Sequence, residues 1–103
     1  MEFSTVVNSR RSVRSYSTRT IPEDVLGRIM EAARIAPSAN NVQPWRYIIV
    51  KDKTRIRQAA EAADNQLFIA DAPVVIVLCA ERYTDRYSWL GENMYLVDAT
   101  ISM

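Results

Sequence analysis

Histidine is absent from this 103-residue sequence, cysteine occurs once and glycine twice. Without histidine there is no Ser-His-Asp triad, no imidazole general base and no imidazole metal ligand. The single Cys79 excludes an intrachain disulfide and suits a reducing, cytoplasmic compartment. Gly27 and Gly91 are too far apart to build a Walker loop or a GxGxxG turn. A bound phosphate would therefore rest on side chains or helix ends. The longest apolar run, Ala72 to Ala80, is about half of what a membrane helix needs. Met1-Glu2-Phe3-Ser4 lacks the basic start and long apolar stretch of a secretion signal. A formal net charge of +1 provides no overall field towards nucleic acid or an anionic membrane. Aspartates and glutamates are scattered without a shared helical face, so no glycosidase-like or metal-binding set emerges.

What is present is the composition of one soluble globular domain, with 49% apolar and 24% charged residues. Helical and strand patterns alternate along it. Ser4 to Asn8 suits a short helix. Thr20-Ile21-Pro22-Glu23 reads as a helix start, with Thr20 as cap, Glu23 closing a capping box and Pro22 in the first turn. Val25, Leu26, Ile29, Met30 and Ala33 then recur at helical spacing, and Pro37 ends the run. Ser38 to Pro44 is polar and proline-bounded, hence a loop. Arg46 to Lys51 forms a strand. Lys53 to Ala63 forms a helix with Ile56, Ala59, Ala60 and Ala63 on one face. Val74 to Cys79 is a β-branched run of the kind covered on both faces. Glu92 to Met103 reads as a helix with an apolar stripe of Met94, Val97 and Ile101. It stops without a glycine cap, basic last turn or proline, which predicts a chain cut in mid-helix with more core to follow.

Three constellations carry possible chemistry. Arg10, Arg11, Arg14 and Arg19 face a single acid, Glu2, in the first twenty residues, with Ser12 among them. Arginine forks suit phosphate oxygens and carbonyl edges; the alternative is a solvated, salt-bridged segment. Pro37 to Trp45 offers hydroxyl and amide groups on a stiff loop, fit for a heterocycle edge or for a plain helix-to-strand connection with Trp45 as core anchor. Asn65-Gln66 reads either as ligand amides or as caps. Cys79 reads as packing within a strand. Tyr83, Tyr87 and Trp89 form either a lid or surface packing.

Taken in order, these pieces resemble the amino-terminal half of the flavin-dependent nitroreductase family. The resemblance rests on Arg10-Arg11-Ser12-Val13-Arg14, Ile21-Pro22-Glu23, Ala32-Ala33 with Ala36-Pro37-Ser38, and Asn41-Val42-Gln43-Pro44-Trp45. Asp71-Ala72-Pro73 and Asp98-Ala99-Thr100-Ile101-Ser102-Met103 complete it, the last resembling the start of the family's long central helix. It implies an α+β fold, an antiparallel-rich sheet flanked by helices, of which residues 1–103 supply the first part of a single domain. It also implies an intertwined homodimer with FMN at the subunit interface. Arg10, Arg11, Ser12 and Arg14 would meet the phosphate, ribityl and pyrimidine side of the flavin. Pro37, Ser38, Ala39, Asn41 and Gln43 would contact it from the partner subunit, Ala39 through its backbone alone. Asn65, with Gln66 beside it, stands where the family often places an amide reaching the flavin.

The activity implied is ping-pong transfer from NAD(P)H through FMN to a nitroaromatic, quinone or similar acceptor, with no catalytic protein residue. The absence of histidine agrees with chemistry carried by a cofactor. Family members complete the flavin site with a glycine-containing loop and basic residues in their second half, which this sequence lacks. Two other readings are a shortened, non-catalytic module that keeps the dimer scaffold, and an unrelated small α/β binding domain with a basic arm.

Overall fold

The helix starts, strand pairings and turns follow the chain in the order α1 (Phe3–Ser9), α2 (Glu23–Arg34), β1 (Trp45–Val50), α3 (Lys53–Ala62), β2 (Val75–Ala80) and α4 (Met94–Ser102). Short 3-10 turns at Ala39–Asn41, Leu67–Asp71 and Asp85–Leu90 join them. The computed structural model describes residues 1–84 and 86–103 in full and position 85 by its backbone. The fold is α+β: β1 and β2 form an antiparallel pair, flanked by helices. Its register runs from Trp45 opposite Ala80 to Val50 opposite Val75. No helix among the described residues is long and apolar enough to cross a membrane.

The second helix begins differently from the capping box that its sequence suggests. Pro22 is the N-cap and Glu23 the first helical residue, two positions before the third one from which a box glutamate reaches back. Glu23 pairs with Lys51 instead, tying α2 to the end of β1. Two acids in the first turn and Arg34 in the last complement the helix dipole. Helix α3 is started by Asp52, whose carboxylate accepts the Arg55 N–H at 2.9 Å. Its Ile56 and Ala60 are fully buried, and it packs against the Leu67–Asp71 turn.

The centre of the fold is α4, which touches α2, both strands and the Ala39–Asn41 turn. Its inward face carries Tyr95, Asp98, Ala99 and Ser102, a helical i, i+3, i+4, i+7 set. The apolar stripe faces outward: Met94, Val97 and Ile101 are 37%, 50% and 54% exposed. Polar residues can occupy the inner face because each finds a partner there. The strands are likewise only partly covered, with Ile48, Ile49 and Ile76 exposed. Helix α4 packs on both strands, but with these three isoleucines exposed, coverage on both faces is not reached among the described residues.

The surface reflects this openness. Accessible area is 8156 Å², against about 5,900 Å² for a compact monomer of this mass. The radius of gyration is 16.0 Å, where about 13 Å is usual for this length. Helix α1 buries none of its residues.

Candidate functional site

Past α1 the chain runs from Arg10 to Thr20 without regular structure and exposed throughout. Arg10 Nη1 donates to Ser12 Oγ at 3.4 Å, and Arg11 Nη1 donates to the carbonyls of Asn8 and Arg10 at 2.9 and 2.8 Å. Among the described residues the ion pairs are made by Arg28, Arg34, Arg46, Lys51 and Arg57, and by none of the four arginines of this segment. The segment is solvated but not salt-bridged. Four cations within ten residues of sequence are thus without a carboxylate partner among the described residues, which favours an anionic ligand. Tyr16 fixes the far end by a tilted ring contact with Phe68, centroids 6.2 Å apart. Beside it Val13, Tyr16, Arg19, Val25, Ile29 and Pro73 line an open cleft of about 740 Å³.

The second group is the loop after α2. Asn40, Asn41 and Gln43 all hold left-handed backbone, with φ of 53°, 56° and 55°. Asparagine tolerates this region best among non-glycine residues, but three such positions within four residues store strain. Local bonds hold the loop against it. Ser38 Oγ accepts the Gln43 N–H at 2.9 Å, and its carbonyl accepts the Asn41 N–H at 3.1 Å. Ala39 donates its N–H to Asp98 Oδ1 at 3.0 Å and accepts from Val42 through its carbonyl. The backbone of Ala39 is thus already engaged. Asn41 and Gln43 are exposed, and their side-chain amides form no hydrogen bond among the described residues. Pro37 is exposed at the loop's entry.

Asn65 and Gln66 are exposed beyond α3. Asn65 and its neighbour Asp64 adopt left-handed backbone, φ 56° and 59°, and the Asn65 N–H closes on the Glu61 carbonyl at 3.1 Å. The backbone of Asn65 finishes the helix while its amide stays free for other contacts. No hydrogen bond or ion pair among the described residues joins Arg10–Arg14 or Asn65 to the 37–43 loop. Trp89 is 70% exposed, Tyr87 lies under Arg86 at 5.5 Å, and half-buried Cys79 sits on β2.

Asp98 is the residue that sequence reasoning undervalued. It is 3% exposed and accepts from both the Ala39 N–H and the Tyr83 hydroxyl. Burial, then the hydrogen bond to Asp98 and its charge, pushes the Tyr83 phenol up to about 12. A single acid directly after the apolar run Met94-Tyr95-Leu96-Val97, on the same helix, was the available signal, since a buried charge there is held by specific partners. Tyr83 also lies against Tyr95, edge to face, with centroids 6.1 Å apart. Between the loop residues Val42 and Gln43 and the segment of Arg82, Tyr83 and Tyr87 lies a polar cleft of about 370 Å³.

The strand pair flanked by helices, with a basic arm and a strained amide-bearing loop, defines an α+β protein. The sequence matches the Nitroreductase family over residues 7–101. It is 44% identical over 81 residues to a protein named NADH dehydrogenase from Thermus thermophilus, covering 79% of this chain and 40% of that one. The crystal structure of a nitroreductase family protein from Clostridium novyi superposes with a TM-score of 0.85 at 27% identity, covering all of this chain and 60% of the other. An FMN-dependent nitroreductase from Clostridium difficile gives a TM-score of 0.81 at 25% identity, with 97% and 55% covered. The chain belongs to the nitroreductase family. It spans about half the length of the relatives that it matches.

The donor chemistry fits the cofactor named for the last of these proteins. A flavin mononucleotide presents a phosphate, a polyol and a hydrogen-bonding ring edge. Arg10, Arg11, Arg14 and Ser12 offer charged and hydroxyl donors, and the free amides of Asn41, Gln43, Asn65 and Gln66 suit a ring edge.

Proposed function

We propose that the protein is an FMN-dependent NAD(P)H oxidoreductase of nitroreductase type, working as a homodimer with the flavin at the subunit interface. The observation that carries this reading is the set of arginines, Arg10, Arg11 and Arg14, that stand beside Ser12 with no acidic partner among the described residues. Their forks would hold the phosphate, and a cation beside the pyrimidine edge favours the negative charge that grows there on reduction. Pro37, Ser38, Asn41 and Gln43 would line the flavin from the partner subunit, with Ala39 holding the loop's shape. Asn65 and Gln66 would supply further amides. The chemistry supplied by bound FMN is hydride uptake from NAD(P)H followed by electron delivery to a nitroaromatic, quinone or similar acceptor. This chain's residues bind and orient, and none of them needs to form a covalent bond.

The dimer reading is supported by the uncovered apolar faces. Met94, Val97 and Ile101 on α4 and Ile48, Ile49 and Ile76 on the strands are exposed, as expected of surfaces that another protein layer buries. Residues 1–103 act as one nitroreductase-like unit whose core is completed outside them. One unpaired cysteine accords with a cytoplasmic location.

The test is to purify the full-length protein, record its visible spectrum and follow NAD(P)H oxidation with a quinone acceptor. Flavin absorbance and acceptor-dependent oxidation with ping-pong kinetics support the proposal. A colourless dimer that ignores added FMN overturns it and leaves a non-catalytic scaffold.

A further inference from the structure

We propose that Asp98 is a positioning residue that clamps the 38–43 loop against the segment following β2, and so sets the shape of the flavin-facing loop. The inference rests on the reading of that loop as a flavin contact. It starts from three observations made independently of that reading.

First, the loop's own hydrogen bonds are joined by one from outside it. Asn40, Asn41 and Gln43 all have positive φ, and such runs persist only where surrounding contacts over-determine them. The loop's internal bonds run through Ser38 and Ala39; Ala39 is the one whose N–H is fixed from outside the loop, by Asp98 Oδ1 at 3.0 Å. Second, Asp98 is 3% exposed on the inner face of α4 and forms no ion pair among the described residues. A buried carboxylate in this state is kept by hydrogen bonds, and it has them from two directions. Third, its other oxygen accepts the Tyr83 hydroxyl, on the far wall of the polar cleft that Val42 and Gln43 border. One carboxylate thus fixes both walls of that cleft to one helix.

The geometry separates positioning from plain stability. Asp98→Asn keeps an oxygen for the Ala39 N–H. Asp98→Ala removes both acceptors and leaves a backbone donor unsatisfied. Tyr83→Phe removes only the bond to the far wall. The experiment is amide hydrogen exchange on the full-length protein and these variants, read at Ala39, Asn41, Val42 and Gln43, alongside FMN titration by fluorescence quenching. Asp98→Ala is expected to speed exchange in the loop about tenfold relative to the amides of α3, and to weaken FMN binding by a similar factor. Asp98→Asn is expected to restore most of both, and Tyr83→Phe to leave the Ala39 amide protected.

Loop exchange unchanged in Asp98→Ala would overturn the clamp. Faster loop exchange with unaltered FMN affinity would overturn the claim that the clamp shapes a flavin-facing loop. If Asp98→Ala does not fold, the Asp98→Asn and Tyr83→Phe pair decides, and Asp98→Asn matching the global loss would count against positioning. Failure of the unaltered protein to bind FMN would sink the functional reading alone, because the exchange comparison needs no flavin.

Discussion

The Tyr47 hydroxyl lies 2.6 Å from Ser102 Oγ and donates to the Ser102 carbonyl at 2.8 Å, joining the middle of β1 to the last turn of α4. Ser102 Oγ in turn donates to the Ala99 carbonyl at 2.7 Å. With Asp98 holding the loop one turn earlier, α4 is fastened to its surroundings by polar bonds along the face that most helices fill with apolar side chains. Tyr47→Phe should lower stability by about 1 kcal/mol. The urea midpoint reads this directly, and an unchanged midpoint with unchanged slope would show that the bond adds nothing net.

Ile56 is the largest side chain fully removed from solvent. Ile56→Ala should cost about 2–4 kcal/mol, from lost transfer free energy and the cavity left behind. Ile48→Ala, at an exposed position of β1, should cost far less within the monomer. In the assembled full-length protein, where the proposed dimer covers this face, the Ile48→Ala loss should approach that of Ile56→Ala; a loss that stays small there would leave the strand face uncovered.

The arginine segment predicts a discrimination between two flavins. Arg10→Ala and Arg14→Ala should each weaken FMN binding about tenfold or more, by removing a charge-assisted donor to a phosphate. Riboflavin, which has no phosphate, should lose little. Parallel titrations of the two flavins, repeated at raised salt, check this. Equal losses for both would place these arginines away from the phosphate.

Tyr83 predicts a pH dependence. Its folded phenol ionises near pH 12, above the ordinary value of 10.0. The unfolded chain therefore releases this proton first as pH rises. The stability contributed by Tyr83 is complete below pH 10 and is lost as pH climbs through the folded value. The stability difference between the unaltered protein and Tyr83→Phe should shrink between pH 10 and pH 12. A difference that is constant over that range would contradict the Tyr83–Asp98 bond.

Much of the fold was legible because local signals agreed with the outcome. The strand around Tyr47, the Asp52-started helix with Ile56 on its buried face, and the proline-bounded loop all follow from residue spacing. Two features were not legible, for physical reasons. Periodicity gave α4 an apolar stripe but could not say which face turns inward, because Asp98, Ser102 and Tyr95 find partners in Ala39, Tyr47 and Tyr83, residues remote in sequence. The capping box at Thr20 failed since Pro22 already sets the entry angle of α2. In the candidate site, the arginines and loop amides were legible as donor types, whereas the left-handed run at Asn40, Asn41 and Gln43 and its tether to Asp98 needed coordinates.

The central claim is that this chain holds FMN through its arginine arm and its strained loop. Titrating FMN with the purified full-length protein and following flavin fluorescence tests it most directly. The account predicts saturable quenching at one FMN per chain, weakened by salt and by Arg10→Ala. Flavin fluorescence that stays at its free value across the whole titration would contradict it.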